Sequence, residues 1–267
     1  MSASNSLRGR VPGQSVMREV VAKQRTLPPQ SRLARFRGVN PVVPANREIY
    51  RAALGELLVG DTLDHLGPEW DVLHVVPVAA GDPEIDHLVI GPAGVFTIWT
   101  KNFPGHEVWV GGETLLVGGQ HHDDIPGAKL EAERASALLS AAAGRTINVE
   151  PILVVANPKR LVIREQPSNL VVVSSKQLLR WLTRLDRQLD GTEVASISDI
   201  ADRDSTWHSP IEPGPDTQQL HRDFANLRAD VGAARSTRML WGGSAFLVIA
   251  VVVWAGVAMV VQYIVSH

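Results

Sequence analysis

Cysteine is missing from the 267 residues, which excludes a disulfide scaffold and a cysteine-ligated metal site. A strong excess of either charge is missing too. The chain carries 26 Lys and Arg against 28 Asp and Glu, for a formal net charge of −2, so the molecule as a whole is not a polycation built for nucleic acid. The polar, basic start has no apolar core of a signal peptide, and no cleavable leader is expected. There is no internal repeat, dinucleotide fingerprint or Ser-His-Asp nucleophile signature. What remains is a length that suits one medium domain with appendages and a real hydrophobic core.

Four regions follow from the patterning. Residues 1–46 are rich in Arg, Ser and Pro and read as a disordered basic tail. Arg8, Arg10, Arg18, Lys23, Arg25, Arg32, Arg35 and Arg37 are opposed there by Glu19 alone, which suits a solvated arm or contact with lipid or phosphate. Residues 47–204 read as an α/β domain. A helix with one apolar face runs from Arg47 to the Leu66-Gly67-Pro68 stop. Short strands follow over Asp71–Val78, Glu84–Ile90, Val95–Lys101, Glu107–Val110 and Thr114–Val117. After them come a helix over Ala128–Ala143, strands at Pro151–Ala156 and Asn169–Val173, a helix from Ser174 or Ser175 to about Leu189, and a short helix within Thr192–Asp204. The order predicts a mixed central sheet flanked by helices.

Residues 205–238 read as a Pro-containing linker followed by a polar juxtamembrane helix. Met239–Val265 carries no charge. As a helix it is about 40 Å long, against a hydrocarbon core of about 30 Å. It therefore predicts a single C-terminal transmembrane helix, with Trp241 and Tyr263 near its ends. Arg235 and Arg238 precede it and only Ser266 and His267 follow, so the positive-inside rule places the large N-terminal domain in the cytoplasm, at the cell membrane. Without a GxxxG pattern, the signal for helix pairing is weak.

The stretch from Glu84 to Asn102 bears the chemistry. Two alternating strands flank a turn at Gly91–Gly94. If Ile90 faces Val95, then Asp86 faces Trp99, and Asp86, Trp99 and Lys101 share one face of the sheet. An acid and a lysine thus meet on adjacent strands.

These residues carry a resemblance. Gly55-Glu56 on the first helix, Ile85-Asp86-His87-Leu88-Val89-Ile90-Gly91-Pro92-Ala93-Gly94-Val95-Phe96, and then Lys101-Asn102 with Gly105 resemble the nuclease-related domain, over roughly Arg47 to Val173. That family is grouped with the PD-(D/E)xK nucleases. The resemblance implies a restriction-endonuclease-like fold and a divalent-metal site, Mg²⁺ being the expected ion, with nucleic acid as the partner. It assigns catalytic roles to Asp86, Lys101 and Glu56: Asp86 as the first metal acid, Glu56 as the helical acid of the metal shell, and Lys101 as the lysine that positions or activates water. The second metal acid belongs at position 99, where this chain has Trp99. An indole has no oxygen lone pair and offers a single N–H donor, so metal affinity and water activation are expected to fall.

Other residues have competing readings. Glu131 and Glu133 read as solvent-facing helix residues, with a carboxylate relocated onto that helix as the alternative. His121-His122-Asp123-Asp124 reads as a polar loop, since its spacing matches no zinc pattern. Asp86 and Lys101 could form a structural pair, and Lys101 could lie over Trp99 or Trp109. His87 reads as a core histidine, and Gly111-Gly112 as a hairpin turn. Three functions are therefore expected to compete: a membrane-anchored, nucleic-acid-associated domain with a degenerate metal site, an active metal-dependent nuclease, and a membrane scaffold without a nucleic-acid role.

Overall fold

The computed structural model describes residues 6–78, 83–207 and 217–266. They divide into two compact units: Met1–Val20 with Glu48–Leu220, and Val21–Arg47 with His221–His267.

The first unit is built on a five-stranded sheet in the order β1-β2-β3-β7-β9, where β1 is Asp71–Val76, β2 Ile85–Gly91, β3 Gly94–Asn102, β7 Val149–Ala156 and β9 Val171–Ser174. β1, β2 and β3 are antiparallel neighbours; β3, β7 and β9 run parallel. β7 is a nearly continuous apolar run because both of its faces are covered. On one face lie α3 (Arg47–Leu63) and α5 (Ser175–Leu182), which contribute Val59, Leu63, Leu178 and Leu182 to a cluster with Phe96, Ile98, Ile152 and Val154. On the other lie α4 (Asp124–Ala143) and α6 (Gly191–Ala201), which pack Ala132, Ala135, Leu139, Val194 and Ile197 against Leu88, Ile90 and Val95. Gly144 in the left-handed region ends α4. Asp190 caps α6 by accepting from the Thr192 and Glu193 amides at 2.8 Å.

Instead of one mixed sheet there are two. β4 (Glu107–Gly111), β5 (Thr114–Val117), β6 (Gln120–His122) and β8 (Arg160–Glu165) form a separate sheet ordered β6-β5-β4-β8. It sits over Ile125, Ala128, Leu153 and Val155 through Val108, Val110 and Leu115. β6 and β8 are additions to the strands expected from sequence.

Nor are residues 6–46 a disordered tail, residues 1–5 lying outside the described residues. Residues Leu7–Gly9 form a 3₁₀ turn, and α1 (Gln14–Arg25), α2 (Arg32–Phe36) and a further 3₁₀ turn at Pro44–Asn46 follow. Leu7, Met17 and Val20 are fully buried. Several of the expected free bases are engaged, Arg25 with Asp223 among them. Arg8 pairs with Asp71 at 3.1 Å and Asp199 at 3.3 Å. Arg10 donates to the carbonyl of Val75 and pairs with Glu84 at 3.5 Å. Val75 has a φ of 55°, an uncommon conformation for a β-branched residue, and Arg10 ties down its carbonyl.

α7 runs unbroken from Thr217 to Ser266, and the second unit takes it from His221 on. Asp223 pairs with Arg25, and the Trp241 indole donates to the Phe36 carbonyl at 2.8 Å while stacking edge-on against its ring. Among the described residues no helix is long and apolar enough to cross a membrane, so the expected transmembrane helix has no support from them. Side chains at 244–248, 250–252, 260, 264 and 265 lie outside the described residues, as do 208–216, where most of the expected linker falls.

If the N-terminal segment is part of the fold, Leu7→Ala lowers the unfolding free energy by about 2–5 kcal/mol. Leu33→Ala, at an exposed site, changes it by less than about 0.5 kcal/mol. Chemical denaturation of the two variants checks this, and equal effects contradict the packing.

A candidate cation site between the sheet and two helices

Ile90 pairs with Val95 and His87 with Ile98 across the β2–β3 hairpin, the register expected from the turn. Gly91 is required there: a Cβ would lie 2.1 Å from the Trp70 ring. One residue beyond the paired run, Asp86 Oδ2 accepts the Thr100 amide at 2.7 Å. Asp86 lies on the face shared with Leu88 and Ile90, toward α4.

α3 meets the end of β3 closely. A Cβ at Gly55 would lie 2.8 Å from Asn102 Cβ and 3.3 Å from Thr100 Cγ2, so only glycine permits this approach. Asn102 fastens the contact by donating to the Arg51 carbonyl at 2.7 Å. Glu56, the next residue, is thereby buried to 7% exposure. It sits on the apolar stripe of Ala53, Gly60 and Leu63. Pro12 lies against Gly60, and Gly13 backs onto Glu56, so the N-terminal segment covers this acid.

From the other side comes α4. Asp124, Gly127 and Glu131 lie at spacings of three and four and so form one stripe. Trp99 packs against Gly127, whose missing Cβ would stand 3.0 Å from the indole. Lys101 Nζ pairs with Asp124 Oδ1 at 3.0 Å and stands 5.1 Å from the centre of the Trp99 ring. The simple Asp86–Lys101 pair is therefore replaced: Lys101 is held by Asp124, while its charge still eases ionisation of Asp86. Glu131 is not solvent-facing. It is 7% exposed, and its Oε1 is buried without a hydrogen-bond partner. Glu133, two residues on, is exposed as expected.

Burial governs the protons. The Asp86 residue keeps some accessible surface, yet protein surrounds its carboxyl, and desolvation pushes its pKa up to about 7 against the Thr100 hydrogen bond and Lys101. The Glu56 carboxyl is pushed well up by burial first, then by Asp86, Glu84 and Glu131. Glu131 is pushed well up by burial and by Asp86. Three acids on three elements thus feel one another in a desolvated place.

The remaining candidates fall elsewhere. His121 and His122 lie on β6 and pair with Asp123 at 3.2 Å and Asp124 at 3.6 Å. His87 is buried, with Nδ1 2.8 Å from Nδ1 of His74, but its Nε2 has no partner. Burial drives both histidines toward the neutral form, His74 to about 4. Sequence reasoning missed Asp124 as the partner of Lys101 and misplaced Glu131. The available signal was position: Glu131 lies on the stripe of Ala128, Ala135 and Leu139, where an apolar residue is expected.

Hard divalent cations take carboxylate oxygens, and Mg²⁺ is often held by one or two carboxylates with waters and substrate phosphates. The donor chemistry of Asp86, Glu56 and Glu131 fits such an ion, and the unpartnered Glu131 oxygen is a place for one. Among the described residues no three His, Cys, Asp or Glu side chains already surround a common point, so water or substrate would complete the shell. Residues 51–156 match the family model of the nuclease-related domain. No curated protein and no solved structure matches the chain.

The folded domain holds protons on these acids that the unfolded chain releases near pH 4. The stability this lends is full below about pH 4 and, for Asp86, is lost as pH rises to about 7. Asp86→Asn, which can still accept the Thr100 amide, is expected to raise the thermal midpoint at about pH 8 by at least about 3 °C, with the gain shrinking as pH falls and vanishing below about pH 4. Thermal melts across that range check it. A gain independent of pH contradicts the role given to burial.

Proposed function

We propose that residues 47–204 form a nucleic-acid-directed domain of the nuclease-related type, whose cation site is weakened by Trp99 at the position of the second acid. The observation that supports this reading most is that α3 and α4 bury Glu56 and Glu131, the latter with an unpartnered oxygen, around the strands that carry Asp86 and Lys101. Burying ionisable acids without cationic partners opposes folding, so such a group is better explained by a ligand than by stability. In this reading Asp86 and Glu56 offer oxygens to a divalent cation, Mg²⁺ first. The cation would supply charge neutralisation at a phosphodiester. Lys101, held over Trp99 by Asp124, would orient a phosphate oxygen or the attacking water.

A second reading, an active metal-dependent nuclease, is favoured by the buried, unpartnered oxygen of Glu131, which could compensate for Trp99.

The second unit bears on location. Met239–Val265 is free of charge. Leu240, Trp254 and Met259 on α7 are 72, 73 and 74% exposed. An exposed apolar surface of this kind marks a lipid or protein contact. α2 exposes Leu33 and Phe36, with Arg32, Arg35 and Arg37 interleaved, and Phe36 meets Trp241, an arrangement suited to the interface of an anionic membrane. We therefore read the protein as tethered to the cell membrane through its C-terminal helix, with the N-terminal domain on the cytoplasmic side.

Incubating the full chain with labelled DNA and RNA in Mg²⁺ or Mn²⁺ tests the first claim. Expected is retention that falls about tenfold or more between 50 and 200 mM salt, with at most slow cleavage that Asp86→Ala and Lys101→Ala abolish. Absence of both retention and cleavage contradicts it. For the tether, the full chain is expected to stay with membranes through an alkaline carbonate wash, whereas a chain ending at Arg238 is released. Release of both counts against the tether.

A further inference from the structure

Glu131 has no structural reason to be an acid. Its stripe on α4 is otherwise Ala128, Ala135 and Leu139, all buried, and helix packing there calls for small apolar side chains. Its Oε1 is buried without a hydrogen-bond partner, which costs the full desolvation of that oxygen. The neighbouring cation is engaged elsewhere, since Lys101 pairs with Asp124 at 3.0 Å. Asp86 lies on the sheet face that packs against α4 and keeps one firm bond, from the Thr100 amide to Oδ2. Between the two elements, Trp99 fills the space over Gly127, where an acid at position 99 would have reached toward the same place.

We infer that Glu131 and Asp86 form the carboxylate pair that holds a single hydrated divalent cation, α4 supplying the oxygen that Trp99 does not. This rests on the nucleic-acid-directed reading of the same site and puts Glu131, in place of Glu56, beside Asp86 as the second cation ligand. Two carboxylates with water in the remaining positions suffice for a Mg²⁺-like ion. The all-oxygen donors select Mg²⁺ or Mn²⁺ over softer metals. The same ion would neutralise both buried charges at once, which relieves the cost described above.

The test uses the full chain and Mn²⁺ alone, followed by titration calorimetry and by the electron paramagnetic resonance of free Mn²⁺ near neutral pH. Expected is one bound Mn²⁺, weakened about tenfold or more by Glu131→Gln and by Asp86→Asn, since affinity follows the count of charged ligands. Glu133→Gln, at an exposed position on the same helix, leaves binding unchanged. If Glu131→Gln does not fold, Glu131→Asp withdraws the carboxylate by one methylene and is expected to weaken Mn²⁺ severalfold. Wild-type affinity in the folded Gln or Asp variant overturns the inference while leaving the nucleic-acid reading standing, and so does loss of binding in Asp86→Asn alone. Absence of Mn²⁺ binding in the wild type overturns it as well. Bound Mn²⁺ without retention of nucleic acid sinks the functional reading and leaves the cation pair intact.

Discussion

A carboxylate taken out of water must find a counter-charge, donate or accept its way into a network, or hold a proton. Here β2, α3 and α4 each bring one desolvated acid within electrostatic reach of the others, and the lysine beside them is occupied by a fourth acid, Asp124. The local geometry serves this arrangement. Gly55 lets α3 touch the end of β3, and Gly127 makes room for the Trp99 ring. The parallel pairing of β3 with β7 fixes Lys101 opposite Val155. Clusters of apolar side chains on both faces of the five-stranded sheet stabilise the frame against the opposing charges.

The surroundings of the site are as much part of the account as the acids. The N-terminal segment closes one side, with Pro12 on Gly60 and Gly13 against Glu56. Its Arg8 and Arg10 reach Asp71, Asp199 and Glu84, so the basic residues there fasten the segment to an acidic surface. The second sheet closes another side, with Trp99 and Phe103 packed beside Val108, Leu115 and Ile125. Their burial raises the proton affinity of the carboxyls and strengthens any electrostatic contact made among them.

Much of this was legible in the chain itself. The Gly91–Gly94 turn fixed the hairpin register, and with it the meeting of Asp86 with the Trp99–Lys101 strand, because a strand's side-chain period is two. α3 and α4 were legible from their apolar stripes. What escaped were features decided by distant partners. β8 is short and charged at both ends, and it becomes a strand by pairing with β4. α5 stops at Leu182 although apolar spacing continues, because the Gln188 and Leu189 amides turn to the Pro92 carbonyl at 2.7 and 2.9 Å. Leu7, Met17 and Val20 are too sparse to signal a buried segment, yet each is buried singly by structure formed elsewhere. Glu131 has the residue type of a solvent-facing helix position, yet its place on an alanine stripe is the better guide.

The central claim concerns where one cation sits. A crystal structure grown in Mn²⁺, with anomalous scattering recorded for that element, locates it most directly. The account predicts a single anomalous peak bridging the Asp86 and Glu131 carboxylates. It is contradicted if the peak is absent while those two acids are turned into hydrogen bonds with each other or with the protein.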